Sequence, residues 1–371
     1  MSRYIHEQED WPRLTWDSQG ISDKLASVRH RQGRLLGRME AIGFALREQA
    51  VLYTLTQDVL ETSLIEGETL DREQVRSSLA RRLGLDVGAI APNDRHVDGV
   101  VEMMLDATKR YSEPLTAERL FGWHNCLFPT GHSGLTRIQV GEWRSDSTGP
   151  MQVVSGPIGR EWVHFEAPSA SRLPAEMDTF LDWFNDPATS LDPVLKAGLA
   201  HLWFVTLHPF ADGNGRIARA IGDLALARSE GTAQRFYSQS AQIRQERMAF
   251  YEILEKTQNG GLDVTGWLDW FLDCLDHAFG GAETTLGMVL RKARFWEAHG
   301  TENLNARQRL LLNRLLDGFT GKLTSSKWAI IAKCSQDTAL RDILDLTERG
   351  LLVREAGGRS TSYTLIEPAV E

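Results

Sequence analysis

Leu207 to Arg219 reads LHPFADGNGRIAR, and it follows the apolar run LAHLWFVTL. Pro209 ends the preceding helix, because its ring lacks an N–H and clashes with the turn before it. The Gly213-Asn214-Gly215 turn then leads into a new helix through IARAIGDLALARSEG. A helix start presents backbone N–H groups without intrahelical partners, so anions settle there. Arg216 and Arg219 lie three apart on one helix face, two planar forks that suit different phosphates of one nucleotide. Asp212 is placed to hold a divalent cation, magnesium, on phosphate oxygens. His208 is the proton acceptor near neutral pH. The plain alternative is a glycine-rich turn between two core helices. Against it, every polar position in the stretch has a role in one mechanism.

The string HPFADGNGRIAR resembles the signature of Fic-domain proteins, HPFx(D/E)GNGRxxR, at every specified position. The resemblance implies transfer of AMP from ATP to a hydroxyl of a target protein. It assigns His208 as general base, Asp212 as magnesium ligand, Gly213, Asn214 and Gly215 as the phosphate cradle, and Arg216 and Arg219 as phosphate-binding arginines. Relatives that transfer a phosphate lack the intact Gly-Asn-Gly, which favours adenylylation.

A chain of 371 residues is long for one core, so two or three domains are expected. The net charge of −9 repels nucleic acid. No apolar run has membrane-spanning length, and MSRYIHEQEDW lacks a signal-peptide pattern, so the expected setting is cytoplasmic with no membrane partner. Cys126, Cys274 and Cys334 form no CxxC pair, which argues against a zinc ribbon or a disulfide framework. Metal is expected to enter with the nucleotide.

Ahead of the signature, Trp11 and Trp16 are expected to pack on a neighbouring surface. Helical periodicity starts near Ile21, and FALREQAVLYTLTQDVLETSLIEG reads as a second helix stopped by Gly67. Thr62, Glu66 and Gly67 fit (S/T)xxxE(G/N), a common spacing by itself. Beside the signature it is similar to the inhibitory motif of many Fic proteins, which implies that Glu66 pairs with Arg219 and reaches the nucleotide site. The basic helix TLDREQVRSSLARRLGLD reads as a solvated face capped by Thr69 or Asp71, and His124 and His201 read as structural.

Thr130 to Pro174 is rich in Gly, Ser, Thr and Pro, with β-prone MQVV and EWVHF on either side of SGPIGR. Such a hairpin offers an edge that captures an extended peptide. Fic proteins carry a flap here, and Val153, Val154, Val163 and His164 are its expected target-binding positions. After the signature, Tyr251 is the expected adenine and ribose contact, with Gln258 or Asn259 beside it. Leu262 to Gly300 reads as two helices.

The last segment differs. A helix, a helix-turn-helix pair and a hairpin around Gly357-Gly358 resemble a winged helix. Arg341 and Arg359 suit phosphate, but Asp337, Asp342, Asp345 and Glu348 on or near the would-be recognition helix favour protein contact over DNA, and a homodimer is left open.

The expected fold is therefore mainly α: a Fic-type helical core with a β-hairpin flap, plus a small C-terminal winged-helix-like α/β domain. The expected division is 1–112 with the inhibitory helix, 113–299 as catalytic core, and 300–371. The expected function is an ATP- and magnesium-dependent adenylyltransferase acting on Ser, Thr or Tyr hydroxyls of a protein and on itself, restrained by Glu66. The alternatives are an AMP-removing enzyme of the same type, or a DNA-binding nucleotide sensor without turnover.

Overall fold

Carboxylates and hydroxyls at helix starts fix most of the architecture in this computed structural model, which describes residues 3–85, 94–147, 149–157, 160, 162–317, 319, 321–355 and 361–366. Asp17 accepts from the N–H groups of Gln19 and Gly20 and opens α1 (Ser18–Ala41). After α2 (Phe44–Ile65), Asp71 caps α3 (Arg72–Leu83), Asp94 caps α4 (Arg95–Lys109) and Thr116 caps α5 (Ala117–Leu127). Each side chain satisfies an N–H that the helix itself cannot pair. Between the two candidate caps for α3, Asp71 does the work.

Two antiparallel pairs follow: β1 (His132–Ser133) with β2 (Thr136–Arg137), and β3 (Gln152–Ser155) with β4 (Trp162–Glu166). The second is the expected flap, with Val153 opposite Phe165 and Val154 opposite Val163 across a bulge. The first pair was not anticipated. Next come α6 (Leu173–Asn185), α7 (Pro193–Leu207) and α8 (Asn214–Glu230). From Val194 to Leu207 every residue of α7 except Lys196 is buried, as befits a helix that is apolar all round, and α7 packs along α8 in the most extensive helix pair of the chain.

Beyond α8 the reading from sequence needs two corrections. The stretch FYSQSAQIRQERMAFYEILEKTQNG, whose Ile243, Tyr251 and Leu254 read as one helix, forms two, α9 (Gln239–Gln245) and α10 (Arg247–Gln258), separated at Glu246. The two helices expected after Leu262 are one, α11 (Thr265–His299), which runs straight through Gly280-Gly281. A glycine inside a helix costs only about 1 kcal/mol against alanine, too little to stop a helix whose flanking turns are well packed.

The chain forms two compact units, residues 1–42 with 51–282 and residues 43–50 with 283–371. Residues on both sides of position 112 lie in the first unit, and the division after 282 falls inside α11. In the first unit Trp11 packs edge-on to Trp203 at 5.9 Å, and its indole N–H donates to Glu176 at 3.0 Å. The second unit contains α12 (Ala306–Leu316), α13 (Ser325–Ile331), α14 (Gln336–Glu348) and the pair β5 (Leu352–Arg354) with β6 (Tyr363–Leu365), around Leu311, Leu312, Trp328, Ile343 and Leu346. Asp342 does not face solvent there. It is buried and clasped by Arg307 at 2.7 and 3.1 Å, because a guanidinium fork can offset the cost of burying a carboxylate. Gly357, Gly358 and Arg359 lie outside the described residues.

α4 lies tightly against the end of α5. A Cβ on Gly99 would lie 1.8 Å from the carbonyl oxygen of Cys126. Gly99→Ala must therefore separate two backbones rather than shift a flexible side chain. Overpacking of this kind costs about 1–3 kcal/mol or more, and urea unfolding of the variant should show a loss at the upper end of that range.

Candidate nucleotide site

His208 occupies the left-handed conformation at φ 49° and closes α7, its N–H donating to Phe204 O. Its Nδ1 lies 3.3 Å from Val205 O, a carbonyl that can only accept, so Nδ1 carries the proton and Nε2 is the basic nitrogen. Burial pushes this imidazole down to about 4, with the Arg144 charge adding to the effect against the Val205 hydrogen bond. It is therefore neutral at physiological pH and able to accept a proton.

The backbone of His208 and Pro209 is held by a residue that sequence reasoning missed. Arg144 is buried, donates through Nε to His208 O at 2.8 Å, and takes Pro209 O on its own N–H at 2.9 Å. Its Nη1 reaches Asp146 at 2.8 Å. Only the Arg-x-Asp spacing in WRSD hinted at this, and such spacings are common.

Within the turn expected to cradle phosphate, Gly213 to Gly215, the Asn214 carboxamide holds the loop itself. It accepts from Phe210 N at 2.9 Å and donates to Phe210 O at 2.8 Å, which staples the loop shut. Phe210 is fully buried and stacks on His124 at 4.2 Å, so the loop is anchored from below and His124 serves packing. Gly213, at φ 80°, starts α8, and a Cβ there would press on Phe128 at 2.9 Å. Asp212 accepts from the Gly213 N–H at 2.6 Å through one oxygen and from the Ser133 hydroxyl through the other. Ser133 explains the unanticipated β1–β2 pair, which brings that hydroxyl to the carboxylate. Among the described residues no group of three or more metal-ligating side chains forms. A magnesium ion held by one carboxylate plus phosphate oxygens fits this donor set, since magnesium is ordinarily bound that way.

Arg216 and Arg219, in the first half of α8, are both buried. Arg219 donates from Nε to Thr62 Oγ1 at 2.7 Å and from Nη2 to Thr62 O at 2.9 Å and Glu66 Oε1 at 2.7 Å. The (S/T)xxxE spacing on α2 therefore faces the signature helix. Glu66 also enters the first turn of α8, where a Cβ on Gly215 would lie 2.2 Å from its Oε1. Gly67, at φ 85°, ends α2, and the next N–H, of Glu68, returns to Ser63 O at 3.0 Å. Arg216 donates from Nη1 to Glu68 Oε2 at 2.6 Å and lies over the Phe128 ring at 5.2 Å. Glu68 was missed, although it stands two residues from Glu66.

Tyr251, on α10, is 37% exposed at the rim, with the Arg247 guanidinium 5.3 Å from its ring centre. Burial and then the Glu66 charge raise its phenol. The other two candidates for the base pocket are engaged: Gln258 donates to Thr206 at 3.3 Å, and Asn259 donates to His164 O at 3.0 Å. In the flap, His164 is tied to Glu255 at 2.9 Å and Ser155 at 2.6 Å, whereas Val153 and Val154 are exposed and Val163 is half-buried.

The Fic/DOC family matches residues 114–226, and a domain of unknown function, DUF4172, matches residues 4–85. The chain is 27% identical over 255 residues to a protein adenylyltransferase Fic of Drosophila willistoni, covering 68% of this chain and 46% of that one. It is 29% identical over 185 residues to protein adenylyltransferase fic-1 of Caenorhabditis elegans, covering 50% and 33%. The chain thus spans less than half the length of these relatives. The crystal structure of a Fic family protein from Desulfovibrio desulfuricans matches the fold with a TM-score of 0.55 at 21% identity, covering 97% of this chain and all of that one.

Beneath the site, burial holds His124 down to about 4 and His201 to about 3, with Arg219 adding to the effect at His201. Both rings are neutral in the folded chain and protonate in the unfolded chain below about pH 6.5. Their stabilisation is complete above that pH and is lost as pH falls towards 4. Each should contribute about 1.4 kcal/mol per pH unit across that window. Denaturant titrations from pH 7 to pH 4 check this, and His201→Leu should flatten the slope by one proton's share.

Proposed function

We propose, from the premise that residues 114–226 are a Fic domain, that this chain is a protein adenylyltransferase which takes AMP from ATP to a Ser, Thr or Tyr hydroxyl and is restrained by its own Glu66. The observation that carries the reading is the carboxylate of Glu66 lodged at the start of α8 against Gly215 and on Arg219. An anion from the chain itself sits where the helix start and the arginine would receive a phosphate.

In this reading His208 Nε2 takes the proton from the target hydroxyl as that oxygen bonds to the α-phosphorus. The bond from the α-phosphorus to the bridging oxygen breaks, and pyrophosphate leaves with that electron pair. Arg216 and Arg219 hold phosphate oxygens, the N–H groups of the Gly213 to Gly215 turn line the cradle, and Tyr251 borders the adenosine end. Magnesium held by Asp212 would neutralise phosphate charge. The exposed β3 edge with Val153 and Val154 supports capture of an extended target segment, positioned by the tie from His164 to Glu255. AMP removal at the same site is the second outcome the clasped Glu66 leaves open.

Residues 300–371 are read as a winged-helix-like unit for protein contact. The outer face of α14 supports this, with Leu340 and Leu344 exposed one turn apart between Asp337 and Glu348, a poor surface for the DNA backbone.

Glu66→Gly should raise self-labelling with labelled ATP and magnesium by about a hundredfold, the scale on which misaligned reacting atoms slow a reaction. Adding His208→Ala should abolish it with little change in unfolding midpoint. Equal labelling of wild type and Glu66→Gly would refute the restraint. Labelling that survives His208→Ala would refute the base.

A further inference from the structure

Arg216 and Arg219 meet the two carboxylates of one short stretch, Glu66-Gly67-Glu68, in opposite ways. On Arg219 both Nε and Nη2 are engaged by Thr62 and Glu66, which blocks one edge of the fork. On Arg216 only the terminal Nη1 is engaged by Glu68, and Nε is buried without a hydrogen-bond partner among the described residues. A buried donor without a protein partner is one that a bound oxygen can satisfy. Behind Glu68 stands His96, its Nε2 3.1 Å from the same Oε2 that Arg216 uses. The Phe128 ring lies 5.2 Å from the guanidinium carbon, a cation–π contact.

We propose that Glu68 and His96 are positioning residues which hold Arg216 with its Nε free for a phosphate oxygen, a role distinct from the restraint that Glu66 places on Arg219. This rests on the nucleotide reading above. The left-handed turn at Gly67 and the bond from Glu68 N–H to Ser63 O set the two carboxylates on different arginines. Charge balance agrees. The hydrogen bond to Glu68 raises His96 against burial, with the Arg216 charge opposing and Asp94 adding to the rise. Burial alone would raise the Glu68 carboxyl, but His96 and Arg216 outweigh it and hold it below its usual range. Both directions follow from one carboxylate shared between His96 and Arg216.

The experiment compares Glu66→Gly with Glu66→Gly carrying Glu68→Ala, Glu68→Gln or His96→Gln, using calorimetry with ATP and magnesium and steady-state self-labelling. Glu68→Ala should weaken ATP binding and raise KM about tenfold, the scale of a lost hydrogen bond to a charged group, with a smaller fall in kcat. Glu68→Gln should recover part of the loss, because its carboxamide oxygen still accepts from Arg216; it also carries the test if the alanine variant fails to fold. His96→Gln should show a weaker version of the same split. A Glu68→Ala variant that binds and labels as well as Glu66→Gly, or better, overturns the proposal and makes Glu68 a bystander or a second restraint. A Glu66→Gly protein that binds no ATP overturns the nucleotide reading and this proposal with it. Intact binding in Glu66→Gly with no effect of Glu68 overturns this proposal alone.

Discussion

A guanidinium buried at Arg219 must be matched inside the protein, since an unpaired charge in the interior costs several kcal/mol. The match comes from α2 through Thr62 and Glu66, so the end of α2 is bound to the start of α8. Further along, both helices are tied to the segment between α8 and α9. Asp58, one turn before Thr62, accepts from Ser238, and Asp223, one turn after Arg219, accepts from Arg235 at 2.8 Å. Arg235 also reaches Glu230 at 3.0 Å and lies over Tyr237 at 4.4 Å. Burial and then the neighbouring Asp58 push the Asp223 carboxyl well above its usual range. Pulling α2 away would strand this whole buried set. α2 is therefore a structural member of the unit.

The loop between α7 and α8 shows the same economy. His208 needs a left-handed backbone and a fixed tautomer, and neither is a relaxed choice for a histidine. Asn214, Arg144 and the Val205 carbonyl hold the loop, each by hydrogen bonds to or from the main chain. With the loop tied at these points, the side chains of His208 and Asp212 are presented by a rigid frame.

At the flap, packing and exposure are divided along one hairpin. Phe165 is buried with Tyr4 and Ala167 at its base, while Val154 and Trp162 are 47% and 68% exposed near its far end. An anchored base keeps the strand pairing in register, and the outer edge of β3 has no strand partner among the described residues.

Local rules explain what the sequence determined by itself. Proline, glycine and cap residues declared the ends of α7 and α8, the stop of α2 at Gly67 and the flap turn, because each acts within a few residues through backbone conformation. The signature fixed the identities of His208, Asp212, Arg216 and Arg219, and the Thr62–Glu66 spacing named the clasp. Tertiary structure alone decided that Glu68 meets Arg216, that Ser133 and Arg144 serve the site, that Asn214, Gln258 and Asn259 spend their amides within the chain, and that Asp342 is buried. It also decided that α11 continues through two glycines. Those outcomes depend on partners far away along the chain, and no local spacing encodes them: a side chain's hydrogen bonds are settled by which neighbours the packed helices bring within 3 Å or so.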